Sequence, residues 1–261
     1  MAMHVRIGAG FLSVLAGVFL AASPCAASSS SSSSDMPRWG TGFIMPILMY
    51  HHIRPLDEAP DQLGRSLSVS PEAFERQMQW LQENGYRTIS MDLFVRLLRR
   101  EIPAGLKFAV VTFDDGYDDN HTYALPILLR QRARAVFYVV ADFVGRPGYL
   151  TRVQLRDLQS NGMQIASHTL RHVLLPGASP EVRTREVRES RARLREMTGQ
   201  SILHIAYPYG AVDDVTGEAV RRAGYVTAVT TEEGYAGSGS LLLFLPRLRM
   251  GEKTELETLL P

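Results

Sequence analysis

Short apolar runs of strand type recur from Ile44 to Met250, and most are followed by a segment whose apolar residues repeat at helical spacing. That alternation constrains the fold more than any other feature. Residues 44–50, 86–90, 108–113, 135–140, 163–166, 202–206, 225–230 and 244–250 read as strands. Between them, Ser70-Pro71 and Ser179-Pro180 place a capping hydroxyl before a proline at the first helical position, and Thr151 offers a third cap. Phe74, Met78 and Leu81 carry the first helical stripe to Asn84-Gly85; residues 92–100, closed by Ile102-Pro103, and 216–223 form further helices. A helix over 123–132 must take Pro126 in its first turn or bend there. Seven or eight strands separated by helices predict an α/β fold with a parallel sheet closed into a barrel, and an open doubly wound sheet is the competitor. At 261 residues, one large domain of this kind is the expectation.

In such folds, ligands and catalytic groups gather at the C-terminal ends of the strands. The run ending Val110-Val111-Thr112-Phe113 meets Asp114-Asp115-Gly116 at that place. Asp and Gly are ordinary turn residues, but two adjacent carboxylates need a cation, a shared proton or water to offset their repulsion. The strand over 44–50 runs into His51-His52, and the strand over 163–166 runs into Ser167-His168-Thr169-Leu170-Arg171-His172. In a helical turn, imidazoles four residues apart share one face, as two ligands of one metal require. With Asp115 they make a His₂Asp set with open positions, and Asp114 is then the free carboxylate, able to take a proton from water as general base. A lone histidine is more often structural. A pair at ligand spacing is stronger evidence.

The N-terminal stretch differs in kind. Arg6 precedes an apolar segment ending in small residues, so residues 1–27 read as a secretory signal peptide, with an uncleaved membrane anchor as the alternative. Pro24 before the only cysteine, Cys25, makes a poor lipidation site. Residues 28–40 read as a serine-rich linker and 41–261 as the catalytic domain. Loss of 1–27 removes Arg6 alone among charged residues and leaves 27 basic against 27 acidic groups. A neutral surface gives no electrostatic reason to expect nucleic acid or an anionic membrane. Without cysteine, the mature domain has neither a disulfide nor a thiolate site. No strand-to-helix junction carries the glycine-rich loop of a dinucleotide or phosphate site.

Thr112-Phe113-Asp114-Asp115-Gly116, then His168-Thr169-Leu170-Arg171-His172, then Tyr207-Pro208-Tyr209-Gly210, in this order, resemble the NodB-homology polysaccharide deacetylases, carbohydrate esterase family four. The resemblance covers residues 44 to 250 and implies a distorted (β/α)7-type barrel as a single catalytic domain. It also implies a metal-dependent hydrolase that removes N-acetyl groups from N-acetylglucosamine-containing polysaccharide. Asp114 becomes the base; Asp115, His168 and His172 become ligands of one divalent ion, zinc foremost with cobalt, nickel or iron as alternatives. Two departures follow. Where many members carry an arginine that orients the base, this chain has Ala206, and Arg247 is the candidate replacement. Where many carry a late histidine as general acid, none follows His204, so His51 is assigned that role, with His52 behind it. The early Tyr50-His51 together with Ala206-Tyr207-Pro208-Tyr209-Gly210 looks like the branch containing poly-β-1,6-N-acetylglucosamine deacetylases.

The backbone N–H of Tyr209 is assigned to the oxyanion, since Pro208 has none, and Tyr117, Tyr207, Tyr209 and Trp39 are candidate ring faces for sugars. The expected location is secreted or periplasmic. The competing functions are a carbohydrate-binding protein on a decayed enzyme fold, and the same chemistry on peptidoglycan, chitin oligomers or O-acetyl esters.

Overall fold

A computed structural model describes residues 44–98 and 106–260. The expected signal peptide, the linker, Trp39 and Ile102-Pro103 lie outside the described residues.

Seven parallel strands close into a barrel: β1 (Ile47–Tyr50), β2 (Lys107–Phe113), β3 (Ala135–Val139), β4 (Gln164–Ser167), β5 (His204–Ala206), β6 (Thr227–Glu233) and β7 (Leu245–Arg249). Around the ring the order is β1, β7, β6, β5, β4, β3, β2, and the β1–β2 pairing, with Ile47 opposite Val110 and Tyr50 opposite Phe113, shuts it. The short strand Tyr86–Thr88 pairs only with the first residues of β2, Lys107 to Ala109, before β1 takes over at Val110, so this eighth run is not a barrel stave.

Each strand alternates between two apolar environments, as a period of two requires. Ile47, Val110, Val136, Tyr138, Ala166, Ala206, Val229 and Leu245 form the inner cluster, while Leu48, Val111, Phe113, Phe137, Ile165, Ile205 and Ala228 pack outward. The outer residues meet helices α1 (Pro71–Glu83), α3 (Leu125–Arg130), α4 (Arg152–Ser160), α5 (Pro180–Thr198) and α6 (Asp214–Arg222). Helix α2 (Met91–Leu98) contributes Met91, Phe94 and Val95 to the inner cluster instead. Two further residues of the inner alternation are polar. Thr112 and Asp114 follow Val110 at steps of two, which aims them into the barrel at its C-terminal mouth.

The helix starts match their sequence signals. Ser70 accepts from Ala73 N–H, Thr151 and Gln154 form a reciprocal capping box, and Ser179 accepts from Val182 N–H. Pro126 has a larger effect than a simple first-turn position. A π-type turn over Asn120–Ala124 precedes α3, whose second residue is Pro126. The wide turn accommodates a ring that has no N–H and crowds the carbonyl one turn back.

Candidate active site

Strand β2 ends in a backbone turn that separates two neighbouring side chains. Asp114 still follows the sheet, its N–H bonded to the Tyr50 carbonyl, but Asp115 has φ 69° and Gly116 φ 78°. A Cβ on Gly116 would stand 3.0 Å from Val139 Cγ1, so glycine is required there by both conformation and space. The reversal leaves Asp114 buried in the mouth and brings Asp115 to the rim.

Asp114 meets a guanidinium. Arg247 on β7 donates from Nη1 to Oδ1 at 2.7 Å and from Nη2 to Oδ2 at 2.6 Å, and both side chains are buried. Arg247 is itself held by Nε donation to the Thr230 carbonyl and by Nη1 to Thr112 Oγ1. Burial alone would raise the Asp114 pKa, but the charge and hydrogen bonds of Arg247 outweigh it and hold the carboxyl below its usual range.

Asp115, His168 and His172 form a trio whose ligand atoms all lie within 4.8 Å of one another. Asp115 Oδ1 is 3.4 Å from Nε2 of each histidine. His168 donates Nδ1–H to the Ala206 carbonyl at 2.9 Å, which turns its other ring nitrogen toward the Asp115 carboxylate; burial lowers the His168 pKa, but the hydrogen bond and charge of Asp115 and the charge of Asp114 outweigh it and hold the ring above its ordinary value. Burial and the neighbouring His168 push the His172 pKa down to about 4, which keeps that ring neutral. A carboxylate oxygen 3.4 Å from two imidazole nitrogens needs a proton or a cation among them. The donor set and its tautomer therefore fit a divalent metal.

The histidine pair reaches this geometry by a route other than the helical turn its spacing predicts. Residues 168–172 form an irregular loop in which Thr169 has φ 65° and His172 φ 60°. Their backbone groups bond outward, which leaves no i→i−4 ladder. The carbonyls of Thr169 and Leu170 accept from Ala141 and Asp142 N–H, and the Leu170 and Arg171 amides donate to Glu186 Oε2 at 3.1 and 2.8 Å. Thr169 Oγ1 accepts from His172 N–H. Five described non-glycine residues have positive φ, and Asp115, Thr169, His172 and Tyr209 account for four of them. Conformations of this kind cost about 1–3 kcal/mol each and persist where surrounding contacts over-determine them.

The two early histidines separate. His52 is bonded through Nδ1 to Asp119 and stacks on Tyr117 at a centroid distance of 3.5 Å. The His51 ring lies among the site charges: burial pushes its pKa down, Asp114 and Asp115 oppose that, and its own charge acts on Asp115 and His172.

Tyr209 projects with 68 % of its surface exposed, its ring 4.8 Å from that of His172. Gly210 is forced by space, since a Cβ would come within 2.1 Å of Thr231 Oγ1. The other candidate sugar contacts are corrected. Tyr207 is fully buried with its hydroxyl donated to the Leu243 carbonyl, and Pro208 is buried beneath the exposed Tyr209. Tyr117 has His52 on one side and Tyr149 5.3 Å away, so its ring faces are covered by protein.

Sequence reasoning missed Glu186 and Thr169. Helix α5 reads as a solvated, charge-paired face, yet Arg183, Glu186, Val187, Ser190, Leu194 and Met197 are its buried residues. A glutamate in phase with the apolar stripe was the available signal.

A parallel barrel with paired carboxylates and a trio that could hold a metal ion at its C-terminal mouth has the layout of a hydrolase. Residues 102–228 match the profile of the polysaccharide deacetylase family. The Bacillus subtilis protein YxkH, which carries the name of a polysaccharide deacetylase, is 33 % identical over 206 residues, 79 % of this chain and 71 % of that protein. The solved Streptococcus pyogenes deacetylase PplD in complex with acetate superposes with a TM-score of 0.78 at 34 % identity, covering 84 % of this chain and 97 % of PplD. The Escherichia coli poly-β-1,6-N-acetyl-D-glucosamine N-deacetylase is 27 % identical over 86 % of this chain, which spans 39 % of that longer protein. This chain belongs to the NodB-homology polysaccharide deacetylase family and is a hydrolase of that class.

Proposed function

We infer that this protein removes N-acetyl groups from an N-acetylglucosamine-containing polysaccharide of the cell surface or matrix, with Asp114 as base and Asp115, His168 and His172 as ligands of one divalent ion. The observation that carries the reading is the division of labour between adjacent carboxylates: Asp114 is paired with Arg247, and Asp115 faces two imidazole nitrogens. Zinc suits the donor set best, with cobalt, nickel or iron as alternatives that availability decides.

A divalent ion in that trio supplies Lewis acidity toward the acetyl carbonyl and lowers the pKa of water at the site. Asp114, ionised because Arg247 lowers its pKa, takes the proton of the attacking water. Arg247 fixes both carboxylate oxygens, so Asp114 presents its remaining lone pairs in one orientation. The Tyr209 N–H donates to the oxyanion that develops on the acetyl carbonyl oxygen as water adds to its carbon. His51 delivers a proton to the departing sugar amine, while His52, committed to Asp119 and Tyr117, keeps a structural role.

The name and extent of the Escherichia coli relative support poly-β-1,6-N-acetylglucosamine as the substrate class. Residues 1–27 serve as a signal peptide and 28–40 as a linker to the domain at 41–261, which puts the enzyme in the periplasm or outside the cell. No helix among the described residues is long and apolar enough to cross a membrane. The test is amine release from acetylated glucosamine oligomers by zinc-loaded wild type and Asp114→Asn. Metal uptake without turnover by the wild type would sink the enzymatic reading in favour of a carbohydrate-binding role.

A further inference from the structure

We propose that Glu186 on α5 is a positioning residue that sets the affinity of the His168–His172 loop for its ion. The proposal rests on the reading of Asp115, His168 and His172 as metal ligands. The loop must hold two left-handed residues, one of them the β-branched Thr169, and neither is a conformation this sequence adopts unaided. Its ends are secured locally. Ser167 Oγ accepts from Thr169 N–H at 3.2 Å, and Thr169 Oγ1 accepts from His172 N–H at 3.1 Å. Its centre is secured from a distance. Glu186 Oε2 accepts both central amides, and Oε1 accepts Nε of Arg171 at 3.2 Å.

Glu186 is fully buried, and a carboxylate without water is tolerated only when donors surround it. Every side-chain hydrogen bond described for it comes from this one loop, between the two histidines. The helix that carries it is anchored independently. Arg191 donates to the carbonyls of Ile202 and Ala223, and the Tyr225 hydroxyl donates to the Val187 carbonyl. Helix α5 therefore acts as a fixed support, and Glu186 transmits its position to the loop. Loss of the carboxylate frees two amides at the point where the chain turns toward His172, and the loop can then relax to cheaper dihedrals. Partners of metal ligands that act in this indirect way typically alter affinity 10–100-fold, about the change expected here.

The experiment titrates zinc into apo-protein against a chromophoric chelator for wild type, Glu186→Ala, Glu186→Gln and Leu194→Ala. Leu194 is a buried apolar residue two turns further along α5 and reports on general loss of packing. Glu186→Ala is expected to bind about 10- to 100-fold more weakly. Glu186→Gln keeps one oxygen for the two amides and loses the Arg171 contact, so it falls between; it also guards against a failure of the alanine variant to fold. Leu194→Ala should melt at lower temperature and bind zinc like wild type. Wild-type affinity in folded Glu186→Ala or Glu186→Gln overturns the proposal. So does an equal loss of affinity in Leu194→Ala. Failure of the wild type to bind zinc or cobalt overturns the ligand reading itself, a result separable from the other two.

Discussion

Arg247 and Asp114 lie on barrel strands two places apart, β7 and β2 with β1 between them, and meet through two parallel hydrogen bonds of 2.7 and 2.6 Å inside the mouth. Removing one partner of a buried pair leaves an uncompensated charge and costs about 3–5 kcal/mol. Arg247→Ala is expected to lose that order of stability in chemical denaturation. Its residual kcat/KM should show a displaced acid limb. Arg247 lowers the Asp114 pKa, so its removal raises it, and activity, which needs ionised Asp114, will begin at higher pH than in the wild type.

His51 and His52 are adjacent in sequence and opposite in consequence. His51→Ala should bind zinc as the wild type does and lose about 10²- to 10⁴-fold in kcat, the usual worth of a general acid. His52→Ala removes a bond to Asp119 and a stacked ring beside Tyr117, and its main effect should be a lower melting temperature. Measured kcat for both variants, with metal content determined on each, checks the assignment; equal losses would assign the acid to neither alone.

Chelation should abolish turnover, and zinc or cobalt should restore it. His172→Ala is the sharper form of this test, because it removes one of three ligands at the rim and leaves the buried His168 in place. Metal content after gel filtration is expected to fall well below one ion per chain.

At the opposite end of the barrel, His204 on β5 bridges Thr227 and Asp92, with Nδ1 2.8 Å from Oγ1 and Nε2 2.9 Å from Oδ1. The His204 bond is the main reason the Asp92 pKa lies below its ordinary value of 3.8. A depressed folded-state pKa stabilises the protein above pH 3.8, and that contribution fades as pH falls through the lower folded value. Asp92→Asn should therefore melt below the wild type at pH 7, and the gap should narrow as pH falls below 3.8 through the lower folded value. A gap of constant width would mean that packing, not charge, ties α2 to the strands.

The barrel was legible because its period-two strands and capped helices are local signals, and residues such as Ser70, Thr151 and Ser179 sit where their chemistry requires. The Asp115, His168, His172 cluster was legible from the histidine spacing and the motif resemblance together, although the reason its rings converge was not. The loop between the rings bonds through two amides to Glu186, 16 and 15 residues further on, and no helical period encodes that. Tyr207 failed as a sugar contact for a related reason. Its ring is directed by β5 and covered by the 241–244 segment, a tertiary fact that the adjacent, exposed Tyr209 does not share.

A closed sheet has no first or last strand, and that bears on how this site has been wired. The guanidinium that steadies Asp114 comes from β7, while Ala206 on β5, the position at which the motif resemblance leads one to look for an arginine, is small and has its carbonyl taken by His168. Both strands open onto the same mouth, so a side chain long enough to cross it can be supplied from either. What the chemistry needs is a point in space where charge arrives, and a linear motif read along one strand does not report it.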